Sequence, residues 1–212
     1  MKIRSFSPAG VAFARYPFAP ATVYPQGIVP WEEIAEINLQ AWPPELRLHS
    51  GEILFVSADE RDRLRSASER FEIDVVQRVD VWHLLLEPFL DTEFDEKHQE
   101  QTLCTLEAND VAREETAAIR REVGPKMLRY NTYVWEWVHL GLFDLLATRF
   151  GSYLPNWLPV LGRRERRYYW WAMEVARRGK VLLPEEEKTA PLPTRGEGRR
   201  RRSDDASKSP AL

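Results

Sequence analysis

The chain lacks most of the residues and runs that announce a function. It has one cysteine, Cys104, which excludes an internal disulfide framework and fits a reducing compartment. It has no run of about 20 apolar residues, the length of a membrane-spanning helix. Its most apolar stretch, 134–146, is interrupted by Glu136, His139 and Asp144. Charge of one sign is missing as well: 30 Lys+Arg oppose 33 Asp+Glu, a formal net of −3. No overall field therefore draws the chain to a polyanion or a membrane. The uncharged run 5–14 holds Pro8, Gly10 and two serines, a poor signal peptide. The expected location is the cytoplasm. No Gly-x-Ser-x-Gly elbow, phosphate loop or dinucleotide fingerprint occurs, so none of those chemistries has a motif here.

What is present is core material. Apolar residues make up 43% and aromatics 11% of the 212 residues. That is enough for a sizeable core and too much for a disordered chain. The expected fold class is α+β. A small β-rich module over 1–78 packs on a helical region over 79–180 with about five helices. A disordered Pro/Arg-rich tail follows over 181–212.

Seven of the 15 prolines precede residue 45, which disfavours long helices there and favours short strands and turns. Val11 and Phe13 alternate as in a half-buried strand, and so do Leu46 and Leu48. Segment 45–56 reads as a hairpin turning at Ser50-Gly51, where glycine can take positive φ. Ser57-x-x-Glu60 matches a capping box and opens a helix to about Phe71; Ile73 to Gln77 then reads as a strand. The result is a hairpin–helix–strand unit near 45–77. Periodicity places helices near 79–90, 95–107, 111–123, 126–150 and 164–178. Gly124-Pro125 is expected to separate the third from the fourth, and Pro88 to break or kink the first. Gly151 and Gly179 are expected just past the last two. Cys104, in an apolar run, reads as a small buried side chain.

Two groups of residues could carry chemistry. The first is His83, Glu87, His98, Glu136 and His139. Glu136-x-x-His139 puts a carboxylate and an imidazole on one helix face, the spacing that di-metal helix bundles use. Asp80, His83, Glu87 and Asp91 share a face of the first helix. Together they supply ligands for a divalent metal, and with it a hydrolytic or oxidative enzyme. A helical wheel opposes this, since Glu136 and His139 lie away from the core stripe of Met127, Val134, Val138, Gly141 and Leu145. The acidic stretch 87–100 is similar to a calcium loop only in Asp91-x-Glu93-x-Asp95. Glu96 stands where such a loop needs Gly, and Thr102 where it needs a bidentate Glu. It reads better as a solvated acidic segment.

The second group is aromatic and basic. Eight Trp, seven Tyr and nine Phe make 24 aromatics, and twelve of them lie between Tyr130 and Trp171. Most should be core. On the last helix Tyr168, Tyr169, Trp171, Ala172, Met173, Val175 and Ala176 form one apolar face. Arg163, Arg166, Arg167, Trp170, Arg177 and Arg178 belong to the other, with Glu174. Four uses of that face compete: Trp170 stacked under the chain's own arginines, a protein interface, single-stranded nucleic acid helped by Arg199 to Arg202, and a membrane surface. The leading expectation is a non-catalytic interaction protein with a protein partner, using the Arg/Trp face and the acidic segment as contact surfaces of opposite sign. A metal-dependent enzyme is the alternative and single-stranded nucleic-acid binding the second alternative. No cofactor is expected beyond the divalent metal of the first alternative.

Overall fold

The computed structural model describes residues 1–90, 95–134, 139–150 and 162–182, apart from the side chains of 133 and 134. Six short strands come first. β1 (Lys2–Ser7), β2 (Gly10–Arg15) and β3 (Gly27–Val29) make one antiparallel sheet with β2 in the middle. The β1–β2 turn needs glycine at position 10, where φ is +131° and a Cβ would stand 2.0 Å from the Val29 carbonyl oxygen. β4 (Ile34–Asn38), β5 (Glu45–Leu48) and β6 (Ile53–Phe55) make a second antiparallel sheet in that order. The hairpin turns at Gly51, φ +88°, as its sequence indicates.

Helix α1 (Arg61–Arg70) follows a single 3-10 turn over 58–60. That turn displaces the expected capping box: Ser57 makes no side-chain cap, and Glu60 instead accepts from Arg63 Nη1 at 2.7 Å. The segment 73–77 is reduced to one parallel bridge, Ile37 to Val75. It lies at the free edge of β4, with Ile37 N donating to Asp74 O and Val76 N to Ile37 O. Asp74, Val75 and Gln77 are exposed and only Ile73 packs against the core, so little side-chain packing supports an extended strand.

The rest is helical: α2 (Val81–Leu86), α3 (Glu96–Ala108), α4 (Arg113–Val134), α5 (Leu142–Phe150) and α6 (Arg163–Arg177). Asp80 and Asp95 cap α2 and α3 by accepting from the amides of His83 and His98. Pro88 ends α2 as expected, and the chain continues as a 3-10 turn over 87–89.

Three expectations are corrected. Gly124-Pro125 does not divide two helices; α4 runs through it. Ile119, Val123 and Met127 bury one side of α4, and Gly124 lets the Phe89 ring approach, so tertiary packing outweighs the bond that Pro125 cannot make. The helix expected over 126–150 is interrupted, with His139 to Gly141 outside any helix. Cys104 is exposed, because α3 buries the stripe of Thr102 and Leu106 and turns Cys104 towards solvent.

The fold is α+β. One contiguous buried cluster runs from Ile3 to Ala176. Its aromatic spine, Phe13–Tyr16–Phe18–Phe143, steps by ring distances of 5.3, 5.8 and 5.3 Å from the first sheet to α5. Trp82 of α2 is fully buried and donates to Ala172 O of α6 at 2.8 Å. Glu52, in the β5–β6 turn, is buried completely. Its carboxylate accepts from Thr22 N (3.1 Å), Thr22 Oγ1 (2.5 Å) and Tyr169 OH (2.8 Å).

After α6 the chain returns to the start of the helical region. Val79 N donates to Lys180 O and Leu182 N to Gln77 O, forming a bridge of Arg78 with Val181. Gly179 stands past the helix end as expected, but it is the close approach that requires glycine: a Cβ would lie 2.1 Å from Val79 O. Thus 181–182, expected in the tail, are paired, while 183–212 and Gly151 lie outside the described residues. No described helix is long and apolar enough to cross a membrane.

Tyr169→Phe removes a donor from a buried carboxylate without removing the ring. It is expected to destabilise the fold by about 1.5–3 kcal/mol, read from the denaturant midpoint. An unchanged midpoint would mean that Glu52 does not depend on Tyr169.

Candidate functional site

The last helix sorts its residues as the wheel demands. Tyr168, Tyr169, Ala172, Met173, Val175 and Ala176 are buried. Arg163, Arg166, Arg167, Trp170, Glu174 and Arg177 are all exposed and, at 100° per residue, lie within a narrow stripe opposite them. The stripe is about 21 Å long at 1.5 Å per residue. Trp170 is 36% exposed and meets Tyr169 edge-on at 5.8 Å. Among the described residues no cation lies over its ring; the arginine that stacks nearby, Arg149, sits 4.2 Å from Tyr168.

Two arginines of this group have structural tasks. Arg178 donates to Asp110 O (3.1 Å) and Glu115 Oε2 (2.7 Å), fixing the end of α6 to the α3–α4 connection. Arg177 packs over Gly51, where a Cβ would come within 2.5 Å of its guanidinium. Arg163, Arg166 and Arg167 form no ion pair with any described acid.

The described acids of the 87–100 stretch divide: Asp95, Glu96 and Glu100 are exposed, and one turns inward. Glu87 is buried; its Oε1 accepts from His98 Nε2 and its Oε2 from Thr102 Oγ1, both at 2.7 Å. Glu100 pairs with Arg113 at 2.6 Å, and Asp95 is a helix cap. Asp91 and Glu93 lie outside the described residues.

The histidine–carboxylate set divides into two pairs. One is Glu87 with His98. The other is His83 with His139, whose rings stack at 4.6 Å and 5°. His139 Nε2 donates to Asp80 Oδ2 at 3.1 Å, and Asp80 Oδ1 takes the His83 amide at 2.9 Å. No group of three or more His, Cys, Asp or Glu among the described residues is arranged to hold a metal ion. Glu136 lies outside those residues.

The second pair opens onto a cleft of about 350 Å³ between the β4–β5 connection and α2. Its other wall carries Glu45, Arg47 and Arg78, which form a charge quartet with Glu36 behind them. Arg47 Nε and Nη2 donate to Glu45 Oε2 at 3.0 and 2.9 Å. Arg78 forks onto both oxygens of Glu36, one bond being 2.9 Å, and reaches Gly179 O at 3.0 Å. Burial pushes the Glu45 carboxyl above its usual range, opposed by Arg47. Burial would also raise Asp80, but the bonds from His139 and the His83 amide, with the charge of both imidazoles, outweigh it and hold Asp80 low. His83 is lowered, first by burial and then by His139; Asp80, a backbone bond with Leu140 and Glu87 oppose.

Compared with known proteins, the chain matches no family model, no curated protein and no solved structure. Its function is therefore argued from these two places alone: the basic face of α6 and the cleft beside Asp80.

The sequence named the α6 face as a candidate surface and His83, His98 and His139 as candidate metal ligands, but not the quartet or Trp42 at the cleft mouth. A signal was there in Glu45-x-Arg47, since alternate residues of a strand share a face. The partners Glu36 and Arg78 are separated by 42 positions, which no local pattern reveals.

His83 generates a test. A histidine lowered by folding keeps its full contribution above its ordinary pKa, about 6.5, and loses it as pH falls below, because the unfolded chain takes the proton first. Between pH 7 and 5 the wild-type denaturant midpoint should therefore fall more steeply than that of His83→Gln. Parallel curves would contradict the lowering of this half-buried imidazole.

Proposed function

We propose that the protein is a non-catalytic interaction protein that receives an acidic protein segment along the outer face of α6. One observation carries this: Arg163, Arg166, Arg167 and Trp170 lie together on a rigid helix face, exposed, with no counter-ion among the described residues. Arginine and tryptophan are the residues that most often dominate interface energies. A helix already anchored by its buried side loses little further freedom on binding. The complementary charge would set partner choice and on-rate.

The acidic segment 87–100 is left out of this proposal: Glu87 is turned inward, and the exposed Asp95 and Glu100 serve as a helix cap and as a partner of Arg113. Arg177 and Arg178 flank the surface and stabilise it. Single-stranded nucleic acid needs the same arginines for phosphate and the same indole for a base, so the test must separate the two.

The full chain is titrated with a labelled peptide of twelve residues containing glutamate and one phenylalanine, and separately with a thymidine dodecamer, at near-physiological salt. The peptide should bind, and Arg166→Ala/Arg167→Ala/Trp170→Ala should weaken it at least about tenfold with the thermal midpoint unchanged. Preference for the oligonucleotide, or peptide binding that survives the triple substitution, would overturn the reading.

A further inference from the structure

The cleft beside Asp80 has features that neither the fold nor the α6 face explains. Glu45 is only 8% exposed, yet one of its oxygens is unused. Both Arg47 bonds end on Oε2, and Oε1, on a residue that lines the cleft, has no partner among the described residues. An acceptor oxygen that no described residue engages, on the residue lining the open volume, can take a donor from a ligand. Asp80 is the second acceptor. Both its oxygens are held in place by His139 and the His83 amide, but its side chain remains 38% exposed, and each oxygen keeps a further lone pair.

Two carboxylates (Glu45, Asp80) and two guanidiniums (Arg47, Arg78) line this volume, with Glu36 paired behind the arginines. Both guanidiniums are engaged, one by Glu45 and Glu36, the other by Glu36 and Gly179 O. An anion would therefore find no unengaged guanidinium among the described lining residues. The remaining lining joins the polar Asn38, Gln40, Gln77 and Thr105 to an apolar and aromatic part that includes Leu84, Leu182 and Trp42. Trp42 is 59% exposed at the mouth, with Arg61 over its ring at 5.5 Å. A small pocket with an apolar lining and a few aimed polar groups is the usual form of a ligand site.

We propose that this cleft binds a small organic amine, its ammonium between Glu45 Oε1 and Asp80 and its apolar body against Leu84, Leu182 and Trp42. An ammonium can donate to Glu45 Oε1 and to the remaining lone pairs of Asp80, and its charge offsets the cost of keeping Glu45 largely buried. The aromatic surface of Trp42 suits both a hydrocarbon body and a nearby cation. The site shares none of its lining with Arg163, Arg166, Arg167 or Trp170, so it stands or falls apart from the α6 reading.

The probe set is phenethylammonium, with 2-phenylethanol and 3-phenylpropionate as neutral and anionic counterparts of similar size. Binding to the full chain is followed by calorimetry at pH 7. The amine should bind at least about tenfold more tightly than the alcohol, and the carboxylate least. Asp80→Asn and Glu45→Gln should each cut amine affinity about tenfold and leave the alcohol unaltered. Trp42→Ala, at an exposed position, should weaken both without moving the thermal midpoint. The proposal fails if the amine shows no binding up to about 10 mM, if the alcohol or carboxylate equals it, or if its affinity survives both carboxylate substitutions.

Discussion

A buried carboxylate organises this molecule. Glu52 is removed entirely from water, which is costly for an isolated charge. The cost is met by three donors from two distant segments, Thr22 and Tyr169. That requirement binds the loop after β2, the β5–β6 turn and α6 into one unit. Because Tyr169 must point at Glu52 and Met173 at the Ile53 amide, α6 has no freedom to rotate. Its opposite side is thereby committed to solvent, and that side carries Arg163, Arg166, Arg167 and Trp170.

The same constraint reaches the cleft. With α6 fixed, Arg178 clamps its end to Glu115, and residues 180–182 pair with 77–79. Arg78 then reaches both Glu36 and the Gly179 carbonyl, and Asp80 and His83 follow immediately at the start of α2. The basic face and the cleft are two consequences of one docking geometry. Charge follows the same division. Acidic residues are drawn inside or onto partners, as with Glu36, Glu45, Glu52, Glu87 and Glu100, while several arginines of α6 are left outside. A chain of near-neutral average charge thus presents a locally basic surface.

The two faces of α6 were legible residue by residue, since a 15-residue amphipathic helix repeats its period often enough to define both sides. The 45–56 hairpin was legible from Gly51. What the sequence hid depends on distant partners. Pro125 reads as a helix break until Val123, Met127 and Phe89 are seen to hold α4 together around it. Cys104 reads as buried until Thr102, bonded to Glu87, shows which side of α3 turns inward. The His83–His139 stack joins α2 to a residue that lies outside any helix, so the helical spacing read for Glu136-x-x-His139 does not hold at His139. Glu45 looked like an ordinary strand residue because nothing local marks its unused oxygen.

The central claim is that the outward side of α6 is the recognition surface. Its most direct test is NMR mapping on the full chain, following arginine Nε and tryptophan indole resonances while the acidic dodecapeptide is added. The account predicts shifts concentrated on the indole of Trp170 and the guanidiniums of Arg163, Arg166 and Arg167, with the indole of buried Trp82 unmoved. Shifts centred elsewhere, or an α6 face that remains silent while the peptide binds, would contradict it.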